Sequence, residues 1–210
     1  MNDTPAVRRA AVTALARLLG VTAERIGYLT DVPAADLAAL RILVSDRIFG
    51  ITEEAGLSSV AAATRLVPPQ IAAKVATRND SPLMTAHLAA VMEPARAAAV
   101  AQRLTPQYLA RVATYLDLAR SGAVIAALPV PLAVEVAREL VTAADHPTLA
   151  GMLDIATAAQ LRGCLAELDP AVLASAAELL SGPESIARVA DSAPPELAER
   201  LRALLGAEAP

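Results

Sequence analysis

Two histidines, one cysteine and 22 carboxylates are the side chains of this 210-residue chain with the most scope for chemistry. General acid–base work needs a titratable group within hydrogen-bond reach of its target, and a metal needs several His, Cys or carboxylate ligands converging. His87 falls in the helical stripe Met84, His87, Leu88 and Val91, which makes it a structural residue facing a core or its rim. His146 stands in Asp145-His146-Pro147, where a helix-start role accounts for it. Adjacency in sequence does not aim the Asp145 and His146 side chains at each other. Cys164 shares an apolar stripe with Leu161, Leu165 and Leu168, the setting of an inert buried thiol. It is the sole cysteine, so no intramolecular disulfide can form. No HExxH, CxxC, GxSxG or GxGxxG pattern occurs, and no Walker-type phosphate loop. These residues predict no catalytic, cofactor-binding or metal-ligating site.

A nucleic-acid reading has more to offer. Leu15, Ala16, Leu19, Gly20 and Ile26 have the spacing of a helix-turn-helix: a small residue, a turn glycine, then an apolar residue on the second helix. The recognition helix would be Thr22–Leu29, with Arg8, Arg9, Arg17 and Arg25 as its basic support. Glu24 opposes Arg25, and paired helices joined by a glycine turn are common in all-α proteins. A DNA-binding regulator is therefore the alternative reading, with nucleic acid disfavoured as a partner.

The elements that would hold such residues are helices. Hydrophobic residues make up 55% of the chain but aromatics only 2%, because Ala and Leu, both strong helix formers, supply the apolar content. Runs of alternating Val, Ile, Thr and aromatics, as strands require, are missing. Prolines then punctuate the second half at Pro82, Pro94, Pro106, Pro131, Pro147, Pro170, Pro183 and Pro195, often 12 or 13 residues apart. Proline suits the first turn of a helix, where its missing N–H is no loss. Ser81, Thr105 and Asp169 precede three of them as N-caps, and Ser181 with Glu184 reads as a capping box. Asp117 and Thr157 stand at the joints where no proline does. Between joints, apolar residues recur at i, i+3, i+4 and i+7: Ala97, Val100, Ala101 and Leu104, then Leu109, Val112, Ala113 and Leu116. The same stripe returns in Leu149, Met152, Leu153 and Ala156, and in Leu197, Leu201, Leu204 and Leu205.

Helices this short must bury their stripes on neighbours, and a fixed period with short joints stacks them as antiparallel pairs. The first third is less regular, with helical segments at Thr4–Leu19, Thr22–Leu29, Pro33–Ile48 and Thr52–Leu66, broken at Gly20, Asp31-Val32-Pro33 and Gly50. Val67-Pro68-Pro69 marks the boundary. The expected architecture is all-α: a right-handed α-α superhelix, or solenoid, of short antiparallel helix pairs over residues 67–210. Residues 1–66 form an irregular helical cap on the stack, in one continuous body.

The joints also resemble those of a known family. Leu104-Thr105-Pro106, Leu128-Pro129-Val130-Pro131, Leu168-Asp169-Pro170 and Ala193-Pro194-Pro195-Glu196 each precede a Leu/Ala-rich helix. They look like the N-terminal cytoplasmic domain of MgtE-type magnesium transporters, a superhelix of short helices. The resemblance covers roughly residues 81–210 and implies a fold. The transporter's paired regulatory domains, its membrane segments and its acidic magnesium-sensing surfaces have no counterpart in these residues.

Mean hydropathy is +0.47, yet the longest uncharged stretch, Ser121 to Val134, is interrupted by Pro129 and Pro131. A spanning helix needs about 20 consecutive apolar residues, so no membrane insertion is expected, and the N-terminus lacks the apolar run of a signal peptide. A cytoplasmic location follows. Nine Lys and Arg against eight Asp and Glu give residues 1–80 a net charge of +1, and nine against fourteen give residues 81–210 a net of −5. An acidic array disfavours nucleic acid and anionic lipid and favours a basic or mixed-charge partner surface. The functional expectation is a non-catalytic helical-repeat scaffold for protein–protein interaction, without cofactor, and with room for a homo-oligomer. Tyr108 and Tyr115, seven residues apart on one helix, are the array's aromatics, and packing within the stack explains them as well as contact with a partner does.

Overall fold

The computed structural model describes residues 3–54, 67–180 and 182–206 of the chain. Within them every regular element is a helix, and there is no strand. Two long helices come first, α1 (Pro5–Leu19) and α2 (Ala34–Glu54), joined by a 3-10 segment, Ala23–Asp31. Short helices follow: α3 (Pro69–Asn79), α4 (Pro82–Val91), α5 (Pro94–Ala101), α6 (Pro106–Ala113), α7 (Leu118–Ala126) and α8 (Val130–Thr142). The chain continues with α9 (His146–Ile155), α10 (Ala158–Glu167), α11 (Pro170–Ala177), α12 (Pro183–Ser192) and α13 (Pro195–Gly206).

The starts of these helices are set by side chains that satisfy otherwise unpaired N–H groups. Ser81, Thr105 and Asp145 accept the N–H of the residue three positions on, and Asp169 accepts that of Ala171. Thr157 forms a full capping box with Gln160, which receives the Thr157 N–H at 2.9 Å. Asp117 opens α7, its carbonyl accepting from Ser121 at 2.8 Å. At α12 the expected Ser181 cap lies outside the described residues, and Gly182 occupies the N-cap without a side-chain bond.

Several boundaries differ from expectation. Gly50 does not break a helix: α2 runs through it to Glu54, since one glycine costs a helix interior only about 1 kcal/mol. The rest of the segment expected at 52–66 lies outside the described residues. Gly20 does stop α1; at φ 67 it takes the left-handed conformation that a C-cap requires, and its N–H meets the Ala16 and Arg17 carbonyls. Tyr115 lies beyond the end of α6, in the turn where its N–H bonds the Val112 carbonyl, so the two tyrosines do not share a helix.

From α3 onward, each helix packs against the second one along. One row runs α3, α5, α7, α9, α11, α13 and the other α4, α6, α8, α10, α12. The apolar stripes meet between the rows, where Leu140, Leu149, Leu161, Leu180 and Leu201 are fully buried. Burying such a side chain contributes roughly 1.5–3 kcal/mol, which these 8–13-residue helices need because they are marginal alone. Polar side chains stitch the rows by reaching helix ends three elements back. Tyr108 of α6 donates to Ala76 O of α3 at 3.0 Å, and Gln160 of α10 donates to Ile125 O and Leu128 O at the end of α7 at 2.8 Å. Arg188 of α12 does the same for the end of α9, reaching the carbonyls of Leu153, Asp154 and Ala156.

The N-terminal helices have a separate core of Val12, Leu15, Ala16, Ile26 and Leu37. Their hydrogen bonds to the array fall along its middle. Arg17 binds both Asp145 carboxylate oxygens at 2.8 Å and Thr148 Oγ1 at 3.0 Å, at the start of α9. Arg41 donates to Leu116 O at 3.1 Å and Ser45 to Asp117 Oδ2 at 2.8 Å, at the start of α7.

Candidate functional site

The residues singled out for chemistry are scattered. His87 is buried in α4, only 5% exposed, and burial holds its pKa below the usual value. Cys164 is buried in α10, and burial pushes its thiol up to about 11, where no reactive thiolate forms at neutral pH. Asp145 is also buried, but its carboxylate is occupied: it caps α9 through Thr148 and pairs with Arg17. His146, next along, is half-buried in the first turn of α9. Among the described residues no group of three or more His, Cys, Asp or Glu is placed to hold a metal ion. No helix there is long and apolar enough to cross a membrane.

Two of the four arginines of the helix-turn-helix reading are engaged within the chain. Arg8 is paired with Asp3 at 2.9 Å and Arg17 with Asp145 at 2.8 Å, leaving Arg9 and Arg25 exposed. The segment expected as a recognition helix is a 3-10 turn, kinked at Ile26 (φ −116, ψ 19), whose side chain is buried in the N-terminal core. In 3-10 geometry side chains three apart eclipse, so the segment does not offer the staggered α-helical face that reads a major groove.

A different feature stands out, and it is built from the short helices themselves. At the α3–α4 end of the array the rows diverge and leave an apolar groove of about 270 Å³. Ala72, Val75 and Ala76 of α3 form one wall and Met84, Leu88 and Ala89 of α4 the other. Val100, Val112 and Ile125 contribute to the floor, and Val136 and Met152 lie at its far end. The groove exists for two reasons. Among the described residues, α3 and α4 are the first members of their rows and have a row neighbour on one side only. Ala72, Ala76, Ala89, Ala97, Ala101 and Ala113 along the walls are also too small to fill the gap.

The mouth is apolar as well. Val75 is 53% exposed and Met84 46%, and Ile71 and Leu83 beside them are likewise exposed. The stripe spacing put Met84 on a face turned to the core or its rim, and it stands at the rim. Among the described residues no ionisable side chain lines the groove, whose polar members are Asn79, Ser81 and Thr85. Tyr108 sets the spacing of the walls. Its hydroxyl meets Thr85 Oγ1 of α4 at 2.9 Å while donating to Ala76 O of α3 at 3.0 Å.

This arrangement can sequester apolar surface. Sequence reasoning missed it because each stripe was scored as core, with no means of telling where the rows would leave a groove. Signals were present: Met84, Met92 and Met152 are three of the chain's four methionines, and all line the groove. Compared with known protein families, curated proteins and solved structures, the chain matches none. The resemblance to the MgtE-type domain therefore stands on its joint motifs.

Proposed function

We propose that this protein is a non-catalytic helical-repeat scaffold that acts in the cytoplasm and holds a segment of a protein partner in the groove between its two rows. On this reading the rows form a right-handed α-α superhelix of the MgtE N-terminal kind, with the N-terminal helices bracing its side. The observation that carries it is the groove, an apolar cleft whose mouth residues Val75 and Met84 are about half exposed. Contiguous exposed apolar surface of this sort marks interaction sites. Pockets for small ligands enclose most of the ligand's surface, whereas these walls are half open. Methionine-rich walls also adapt their shape, as surfaces that take helical peptides do. The regulator alternative has less support, since Arg8 and Arg17 are engaged within the chain.

Paired affinity captures test this, using the wild-type protein and a Val75→Glu/Met84→Glu variant as baits. Both side chains are half exposed, so the variant should fold. The same proteins should be recovered with the wild type and depleted at least tenfold with the variant. A capture profile indifferent to the two substitutions would remove the groove from the function.

A further inference from the structure

We infer that the groove takes an amphipathic helix whose polar face is acidic, supplied by a partner protein; this rests on the scaffold reading above. The array's charge is strongly segregated along its length. Residues 67–116, which supply most of the groove, hold five Lys and Arg against two Asp and Glu, a net of +3. Residues 117–210 hold six against thirteen, a net of −7. The overall acidity of the array thus belongs to the half away from the groove mouth, and the partner expected from it is reversed at the site itself.

The local geometry sharpens the point. Of the two acids in the groove half, Asp80 is paired with Arg111 at 2.9 Å, and Glu93 accepts from the Ala95 N–H at the start of α5. Lys74, Arg78 and Arg103 line one shallow depression with Gln70, Ala73 and Thr77, and no carboxylate shares it. All three are exposed and have no ion pair among the described residues. On α3, Lys74 and Arg78 lie just across the exposed apolar strip of Ile71 and Val75 from the groove wall. A helix is about 10–12 Å across with its side chains, so one seated by its apolar stripe would lay its flanking polar residues over Lys74 and Arg78. Carboxylates there find these two cations, with Arg103 in the adjoining depression, and lysines meet repulsion. A lipid surface fits less well, because it is entered by protruding apolar side chains and most of this lining, from Ala72 to Met152, is recessed behind the mouth.

Two display pools of peptides about 20 residues long test the inference on the full chain. Both carry apolar residues at i, i+3, i+4 and i+7; the polar positions are Glu or Gln in one and Lys or Gln in the other. The acidic pool should yield binders at least tenfold tighter than their Lys-substituted counterparts, with affinity falling as salt rises. Lys74→Glu/Arg78→Glu/Arg103→Glu should reverse that preference, and Val75→Glu/Met84→Glu should abolish binding of either pool. Equal yields from both pools, unchanged by the charge reversal, would overturn the acidic-helix inference and leave the scaffold standing. If neither pool yields a binder sensitive to Val75→Glu/Met84→Glu, the groove reading falls as well. Binding to vesicles of anionic phospholipid, lost on charge reversal and unaccompanied by peptide binding, would assign the face to a membrane surface instead.

Discussion

His87 illustrates what burial does to a single residue in this array. Inside α4 the charged imidazolium is disfavoured, so its folded pKa lies below the ordinary 6.5 of the unfolded chain. The unfolded state therefore takes up a proton first as pH falls. The stability His87 contributes is fully present above about 6.5 and is lost as pH drops toward the lowered folded value. Denaturant melts between pH 7.5 and 5 should show this decline in the wild type and a flatter profile in His87→Gln; identical profiles would mean that His87 does not titrate differently on folding. Cys164 follows from the same cause with the opposite direction, its thiol raised to about 11. Both positions were legible as core from stripe spacing. Asp145 was legible as a helix start, but its ion pair with Arg17, 128 residues away in sequence, was not. Arg17 looked like a nucleic-acid contact because sequence shows only local neighbours, and its partner is brought in by packing of α1 on α9.

At the scale of elements, the punctuation of the chain was readable and the irregularities were not. Pro at a first turn preceded by Ser, Thr or Asp is a local signal with a local cause, so the starts of α4, α6 and α11 follow directly from sequence. Even the joints without proline, Asp117 and Thr157, open helices as the period requires. Gly50 misled because a glycine inside a helix is only mildly unfavourable and tertiary context overrides it. The 3-10 geometry of Ala23–Asp31 depends on how Ile26 packs beneath α1, which no local propensity encodes. Close approach of neighbouring helices is a further property of elements. A Cβ on Gly163 of α10 would come within 2.7 Å of Val130 and 3.1 Å of Val134, so glycine lets α10 lie tight on α8. Replacing a helical glycine gains at most about 1 kcal/mol in propensity, while overpacking costs roughly 1–3 kcal/mol. Val130 is β-branched and stiff, so it cannot readily turn aside. Gly163→Leu should therefore lower stability by about 1–2 kcal/mol in denaturant melts; a stabilised variant would show that the α8–α10 contact is loose.

For the whole molecule, the groove mouth and the last helix pair lie at opposite ends of the same two rows. The groove lies where α3 and α4 begin the two rows, and α12 and α13 close them at the other end. Sequence carried the period that builds the rows but not the place where they part, since that depends on which stripes find a neighbour. The charge contrast between residues 67–116 and 117–210 was present in the sequence all along. A division at residue 80 averaged it away, and only the groove's position shows where the division belongs. Because the rows are built from contacts between helices two apart, and the last pair, α12 and α13, packs chiefly on itself, stability should be roughly a sum over neighbours. Deleting residues 183–210 uncovers Leu173 and Leu180 while leaving the groove walls untouched. At roughly 1.5–3 kcal/mol per leucine-sized side chain, the truncated protein should lose a few kcal/mol yet keep a cooperative transition. Leu165→Asp, which places a carboxylate at a buried position between α8 and α12, should be worse, because burying an unpaired charge is costly. Denaturant melting of both variants is the most direct test of the two-row account. The account predicts a destabilised but folded protein for the truncation and collapse for Leu165→Asp. Equal collapse of both would contradict it and make the chain a single indivisible bundle.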